Sequence, residues 1–139
     1  MAHRAREVMT PAPVALPADT PLTEAARRMR DQGIGTVLVH DDSGLVGLVT
    51  DRDIIVRAIA DDRSPATTTL GAVCSDRLVT VEPDDTTDDA VRLMRANAVR
   101  RIPVVEDGQA IGILSLGDLA IEHDERSALA DVSAAPPNV

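Results

Sequence analysis

Apolar residues follow two rhythms along this chain, and the same order of rhythms occurs twice. Leu22, Ala25, Ala26 and Met29 stand at i, i+3, i+4 and i+7, which places them on one helical face behind Thr20 and Pro21 as cap and first helical residue. The short aliphatic runs Val37–Val39 and Leu45–Val49 then flank the polar, glycine-containing stretch DDSG, the pattern of two hairpin strands. RDIIVRAIA, residues 52–60, reads as a second helix, and Val14 marks a short leading strand.

The second round repeats the first at a spacing of 65 residues, without a gap, over residues 8–56 and 73–121. Asp85 precedes Thr87, Ala90, Val91 and Met94; Ile102–Val105 and Ala110–Leu114 flank EDGQ; GDLAIE reads as the closing helix and Val79 as the leading strand. Val8 matches Val73, Asp19 matches Asp84, Arg27 matches Arg92, Gly47 matches Gly112, and Asp53 matches Asp118. The fold class expected is therefore α/β (α+β), two tandem repeats of β-α-β-β-α. Residues 4–60 form the first, 61–69 a polar linker, 70–123 the second, and 124–139 a disordered tail. Half of such a chain buries too little alone, so the copies are expected to pack as one compact unit about a pseudo-twofold with clefts between them.

Composition narrows what such a pair can do. The chain has no Phe, Tyr or Trp, so its core is aliphatic and no ring is available to stack on bases. A net charge of −9 opposes any broad grip on nucleic acid or on an anionic membrane surface. All 14 basic residues are Arg, which closes off lysine Schiff-base and P-loop chemistry. Cys74 is the single cysteine, and the start of the chain lacks an apolar leader, so a cytoplasmic protein is expected.

Residues 53–60 carry apolar side chains around roughly 200° of the helix, at about 100° per residue. That is wider than the stripe needed to cover one core. Two readings stay open: a helix enclosed within the fold, or one flank turned to a second copy in a homodimer.

The motif hydroxyl-x-x-Asp occurs twice, as Thr50 with Asp53 and as Ser115 with Asp118, each time just before a helix. It is a capping box by spacing. A helix start also offers amides and a positive dipole end to an anion, and an adjacent Asp suits the paired hydroxyls of a ribose, so a nucleotide fits the same residues.

Val8-Met9-Thr10, the helix ending in Met29, Gly47-Leu48-Val49-Thr50 with Asp53, and their second occurrence including Arg101-Ile102-Pro103-Val104-Val105 together resemble the CBS domains, which occur in tandem as the Bateman module. The resemblance covers residues 4–122. It implies a regulatory module that binds AMP, ADP, ATP, S-adenosylmethionine or NAD in the clefts between repeats. Carried over residue by residue, one cleft would combine Thr50 and Asp53 with Ser75, Val79, Thr80, Val99, Arg100 and Arg101. The second, a weaker one, would combine Ser115 and Asp118 with Thr10, Val14, Ala15, Ile34, Gly35 and Thr36. Adenine would lie among the aliphatic residues, ribose on the Asp, and phosphate on Arg100 and Arg101, for which Gly35 and Thr36 are poor substitutes. Leu38 departs from the family, which has Pro there.

No nucleophile stands with a base and an orienting partner, and His3, His40 and His123 are scattered without metal-ligand spacing. Cys74 occupies the position of Met9 in the repeat, which fits a packed side chain. The expectation is a sensor, not an enzyme, with an adenosine nucleotide as ligand and no catalytic cofactor. It resembles the small CBS-only proteins that bacteria make under stress or energy limitation, with an effector protein as a further partner. The alternative is a ligand-free adaptor in which both motifs only cap helices.

Overall fold

Both hairpins expected from the apolar runs form in the structure, a computed structural model that describes residues 3–75 and 78–123. The tail expected at 124–139 lies outside the described residues. β3 (Thr36–Asp41) pairs antiparallel with β4 (Gly44–Thr50), and β5 (Arg101–Glu106) with β6 (Gln109–Ser115). At the second turn Asp107 and Gly108 take φ of 52° and 79°, the two positive angles of a type I′ turn. Register slips between Val39 and His40 and again between Val104 and Val105, so even the bulge recurs at the repeat spacing.

The third strands differ. β2 (Ala15–Pro17) runs parallel to β3, giving the order β2-β3-β4. The leading strand expected at Val79 is reduced to one parallel bridge from Val81 to Val104. Prolines shorten it at both ends: in the first ladder the Leu38 amide donates to the Val14 carbonyl and the Ala18 amide to the His40 carbonyl, whereas their counterparts Pro103 and Pro83 have no N–H to donate. In that sheet β1 (Thr10–Pro11) takes the third place, antiparallel to β6, in the order β1-β6-β5.

The helices keep to the periodicity with three corrections. α2 (Leu22–Gln32) begins one residue later than expected, with Pro21 as its extended N-cap, because the buried Thr20 gives its carbonyl to the Leu70 amide. Leu22, Ala25 and Met29 enter the core, but Ala26 does not, and in α5 (Thr87–Asn97) Ala90 and Met94 enter while Val91 stays exposed. A sheet covers a narrower stripe of helix than the pattern allowed for. The helix expected to run unbroken through 53–60 is α3 (Asp51–Arg57), which breaks at Ala58 into a 3₁₀ turn over Ile59–Asp61. α6 (Leu116–His123) closes the second repeat, and two single-turn helices, α1 (Ala5–Val8) and α4 (Leu70–Val73), lead into the two repeats.

The described residues divide into two compact units whose limits are offset from the repeats. One, the first-repeat unit, holds residues 14–75 and 78; the second-repeat unit holds 3–13 and 79–123. Each repeat's lead segment thus belongs to the other repeat's unit. Leu16, Leu22, Val37, Val39, Val49, Ile54, Leu70 and Val73 are among the core residues of the first-repeat unit. In the second-repeat unit Ala5, Val81, Ala90, Met94, Ile102, Val104, Leu114 and Leu119 make the core. Residues 61–69, expected as a linker, are tied into the first-repeat unit: Leu22 and Thr23 donate their amides to the carbonyls of Thr68 and Pro65, at 2.9 and 3.1 Å, and Thr68 is buried.

The lead segments seat on glycines. A Cβ at residue 112 would fall on the Met9 sulfur and 3.0 Å from the Thr10 carbonyl oxygen. A Cβ at residue 47 would fall on the Cys74 sulfur and 3.1 Å from the Ser75 carbonyl oxygen. The matching Gly47 and Gly112 are therefore notches for matching side chains.

This packing makes two predictions. Gly47→Ala and Gly112→Ala should each cost about 1–3 kcal/mol by overpacking. The loss should be larger at 47, where the short Cys74 side chain has less room to turn away than Met9 has, and denaturant midpoints of the two variants measure it. In the opposite direction, Ala98 ends α5 at φ 54° where Gly33 ends α2 at φ 63°. Because a left-handed L-residue costs about 1–2 kcal/mol and glycine's extra chain entropy about 0.5–1, Ala98→Gly should raise the melting temperature.

Candidate functional site

The two hydroxyl-x-x-Asp motifs close as matching capping boxes. The Thr50 amide donates to Asp53 Oδ2 at 2.8 Å, and the Asp53 amide donates to Thr50 Oγ1 at 3.1 Å. The Ser115 amide donates to Asp118 Oδ2 at 2.9 Å, and the Asp118 amide donates to Ser115 Oγ at 3.1 Å. Each strand thus ends on the residue that caps the next helix. Each carboxylate commits one oxygen to the cap and holds the second loosely. Asp53 Oδ1 is 3.8 Å from Arg57 Nε, and Asp118 Oδ1 is 3.5 Å from Thr10 Oγ1.

The residues expected around these motifs fall into both units. Of the first set, Thr50, Asp53 and Ser75 belong to the first-repeat unit, and Val79, Thr80, Val99, Arg100 and Arg101 to the second-repeat unit. Of the second set, Ser115, Asp118 and Thr10 belong to the second-repeat unit, and Val14, Ala15, Ile34, Gly35 and Thr36 to the first-repeat unit. Each unit gathers members of both sets at one end of its sheet.

In the first-repeat unit Thr36 lies opposite Thr50 in the β3–β4 register, the Asp51 amide donates to the Gly35 carbonyl at 3.0 Å, and the Leu38 amide donates to the Val14 carbonyl at 2.8 Å. Val14, Ala15, Ile34, Gly35 and Thr36 therefore share an edge with Thr50 and Asp53. Ser75 is half-buried where its carbonyl borders Gly47. Thr36 is buried, 8% exposed, and its Oγ1 has no hydrogen-bond partner. A buried hydroxyl left in that state costs about 1–3 kcal/mol.

In the second-repeat unit Arg101 lies opposite Ser115, and the Leu116 amide donates to the Arg100 carbonyl at 2.9 Å. Arg100 and Arg101 are exposed beside the cap. Val79 and Val99 pack on the margin of the core, and Thr80 is exposed. The edges differ in charge. Gly35 and Asp51 in one unit match Arg100 and Leu116 in the other, so an acid stands on the first edge where the second has two guanidinium groups.

Sequence reasoning missed one feature of the second-repeat unit. A pocket of about 280 Å³ opens between α5 and α6, lined by Val91, Met94, Arg95, Val99, Arg100, Leu116 and Leu119. The signal was present in the repeat itself, since Leu116 and Val91 stand where the first copy has Asp51 and Ala26. Among the described residues no group of three His, Cys, Asp or Glu side chains is placed to hold a metal ion, and no helix is long and apolar enough to cross a membrane.

Comparison with known proteins agrees with this architecture. The profile of the CBS domain matches residues 5–59 and 70–123. The protein YlbB of Bacillus subtilis is 40% identical over 116 residues, covering 79% of this chain and 78% of its own. Hypoxic response protein 1 of Mycobacterium tuberculosis is 30% identical over 131 residues, 94% of this chain and 92% of its own. Among solved structures, Hypoxic Response Protein I with two coordinated zinc ions superposes with a TM-score of 0.76 at 30% identity, covering 86% of this chain and 98% of its own. A protein with CBS domains from Burkholderia ambifaria superposes at 0.81 with 25% identity, covering 90% of this chain and 96% of its own.

The cap alone makes a prediction. Asp53→Asn and Asp118→Asn should each cost a few tenths to about 1 kcal/mol, the range for weakening a helix cap. Urea titration of the two variants measures it, and a loss of several kcal/mol would show that the carboxylates do more for the fold than cap it.

Proposed function

The chain belongs to the CBS-domain family and carries the domain twice, and on that footing we propose that it is a non-enzymatic sensor of an adenosine derivative, whose occupancy alters its contact with an effector protein in the cytoplasm. Tandem CBS pairs are regulatory modules, generally ligand-binding. The adenosine derivative is AMP, ADP, ATP, S-adenosylmethionine or NAD. The observation that carries this reading is the Thr36 hydroxyl, buried without a partner and a member of the second set, with Ser115 and Asp118. A ligand group bonded to Oγ1 would remove that cost.

The remaining chemistry fits a nucleotide. The loosely held second oxygens of Asp53 and Asp118 suit ribose hydroxyls, and Arg100 and Arg101 suit a phosphate, which planar guanidinium groups bind through paired N–H donors. Val14, Ile34, Val79 and Val99 offer aliphatic contact to a purine, and strand-end backbone groups offer hydrogen bonds to its edge. The sensor also associates with a second copy of itself. A different reading, the ligand-free adaptor, is favoured by one observation: both capping boxes are complete without any ligand.

A thermal-shift panel separates the two. A ligand selective for the folded state adds RT ln(1 + [L]/Kd), about 2.7 kcal/mol at a hundredfold excess over Kd. At least one of the five adenosine compounds should raise the melting temperature more than its guanosine equivalent; flat responses throughout would favour the adaptor. Thr36→Val then tests the carrying observation with two signs. Losing the orphan hydroxyl should stabilise the free protein and at the same time weaken the ligand, by calorimetry. Asp53→Asn should weaken binding by roughly ten- to a hundredfold if it holds ribose. Arg100→Ala should weaken AMP more than adenosine.

A further inference from the structure

The two expected ligand sets differ most at the position meant for phosphate. In the second-repeat unit Arg100 and Arg101 bring two exposed guanidinium groups to the start of β5, beside Leu116. The matching residues of the first-repeat unit are Gly35, Thr36 and Asp51. A Cβ at residue 35 would lie 3.2 Å from Asp51 Oδ2 and 3.5 Å from Oδ1, so the carboxylate fills the space that a side chain at 35 would enter. The acid thus replaces the base in position as well as in sign. Asp51 is exposed, its Oδ1 accepts from the Arg52 amide at 2.9 Å, and among the described residues no ion pair neutralises it. Thr36, next in the chain to Gly35, faces Thr50 across the ladder, and its buried Oγ1 has no partner.

These observations restrict what this edge can hold. The orphan hydroxyl calls for a polar ligand group but, being both donor and acceptor, does not choose its charge. The carboxylate does choose, because it repels a phosphate and attracts a cation. We propose that the second set, which includes Gly35 and Thr36, takes an adenosine derivative with a positively charged 5′ substituent, and that Asp51 is the residue that excludes phosphate there. Of the five compounds considered above, S-adenosylmethionine has this chemistry, with a sulfonium on the 5′ carbon and an ammonium beyond it. The first set, with Arg100 and Arg101, keeps the phosphate-bearing compounds. One chain then responds to two adenosine ligands that differ in charge. The inference rests on the sensor reading above and adds to it a residue, Asp51, that the resemblance between repeats and family did not supply.

Calorimetric titration with S-adenosylmethionine, before and after saturation with AMP, tests it. The two should bind the natural sequence together, neither displacing the other. Asp51→Asn keeps an oxygen for the Arg52 amide and removes only the charge. It should weaken S-adenosylmethionine roughly tenfold or more and leave the AMP already bound by the first set unchanged. Thr36→Val should act in the same direction, and it serves in place of Asp51→Asn if melting shows that variant to be unfolded. Arg100→Ala should do the reverse, weakening AMP and sparing S-adenosylmethionine. Asp51→Arg should admit a second equivalent of AMP, a gain that a merely structural role for the residue would not produce. If AMP and S-adenosylmethionine displace one another, if only AMP binds, or if Asp51→Asn binds both as the natural sequence does, the charge selection is wrong and the sensor reading stands. If no adenosine compound binds at all, the sensor reading itself is overturned, and this inference with it.

Discussion

A sulfur-bearing side chain seated on a glycine holds each unit together. Met9 occupies the space above Gly112 and Cys74 the space above Gly47, in each case closely enough that a single Cβ would have to displace it. Because the segment carrying the sulfur is the lead of the other repeat, the notch is where one repeat's lead joins the other repeat's sheet. It also sets the place of the neighbouring strand. Immediately after Met9, β1 lies beside β6, and Thr10 comes within reach of Asp118 at the end of that strand. The site edge therefore depends on a contact that contributes nothing to ligand chemistry itself.

That dependence explains which parts were legible in the sequence. The hairpins were readable because β3 and β5 are buried at consecutive positions, which leaves a direct mark as short aliphatic runs, and the caps because hydroxyl and Asp must stand three residues apart to satisfy two amides. The missing ladder at Val79 was also written down, in Pro103 and Pro83, but only the hydrogen bonds from Leu38 to Val14 and from Ala18 to His40 in the other copy show what the prolines remove. The ownership of the lead segments was not readable at all. Val8 and Val73 look alike in pattern, and a local rhythm says nothing about which of two similar sheets a segment will join.

The site was legible as a set of residue types more than as a geometry. Thr50, Asp53, Ser115 and Asp118 stand where their motif required, yet Thr36 entered only as one end of a strand, and nothing in its neighbours marks its hydroxyl as orphaned. Burial of a polar atom without a partner is a property of the packed state. The contrast between Gly35 with Asp51 and Arg100 with Leu116 was visible as a substitution between repeats. Its physical meaning, an acidic edge set against a basic one, needed the strand ends to be placed.

The crossed ownership of the lead segments bears on how such a chain can be shortened and how it can have arisen. A chain stopping at residue 69 would retain the Gly47 notch and lose α4 and Cys74, which fill it. The piece closest in shape would be its own Val8-Met9-Thr10, freed because the second-repeat unit is gone. A solitary repeat would thus have to fill the notch with its own lead segment or with another copy's, and joining two repeats in one chain lets each fill the other's. Duplication would then relieve each copy of the need to stay identical, which is the condition under which one helix can leave Ile55 and Val56 exposed while its twin lines a pocket with Leu116 and Leu119.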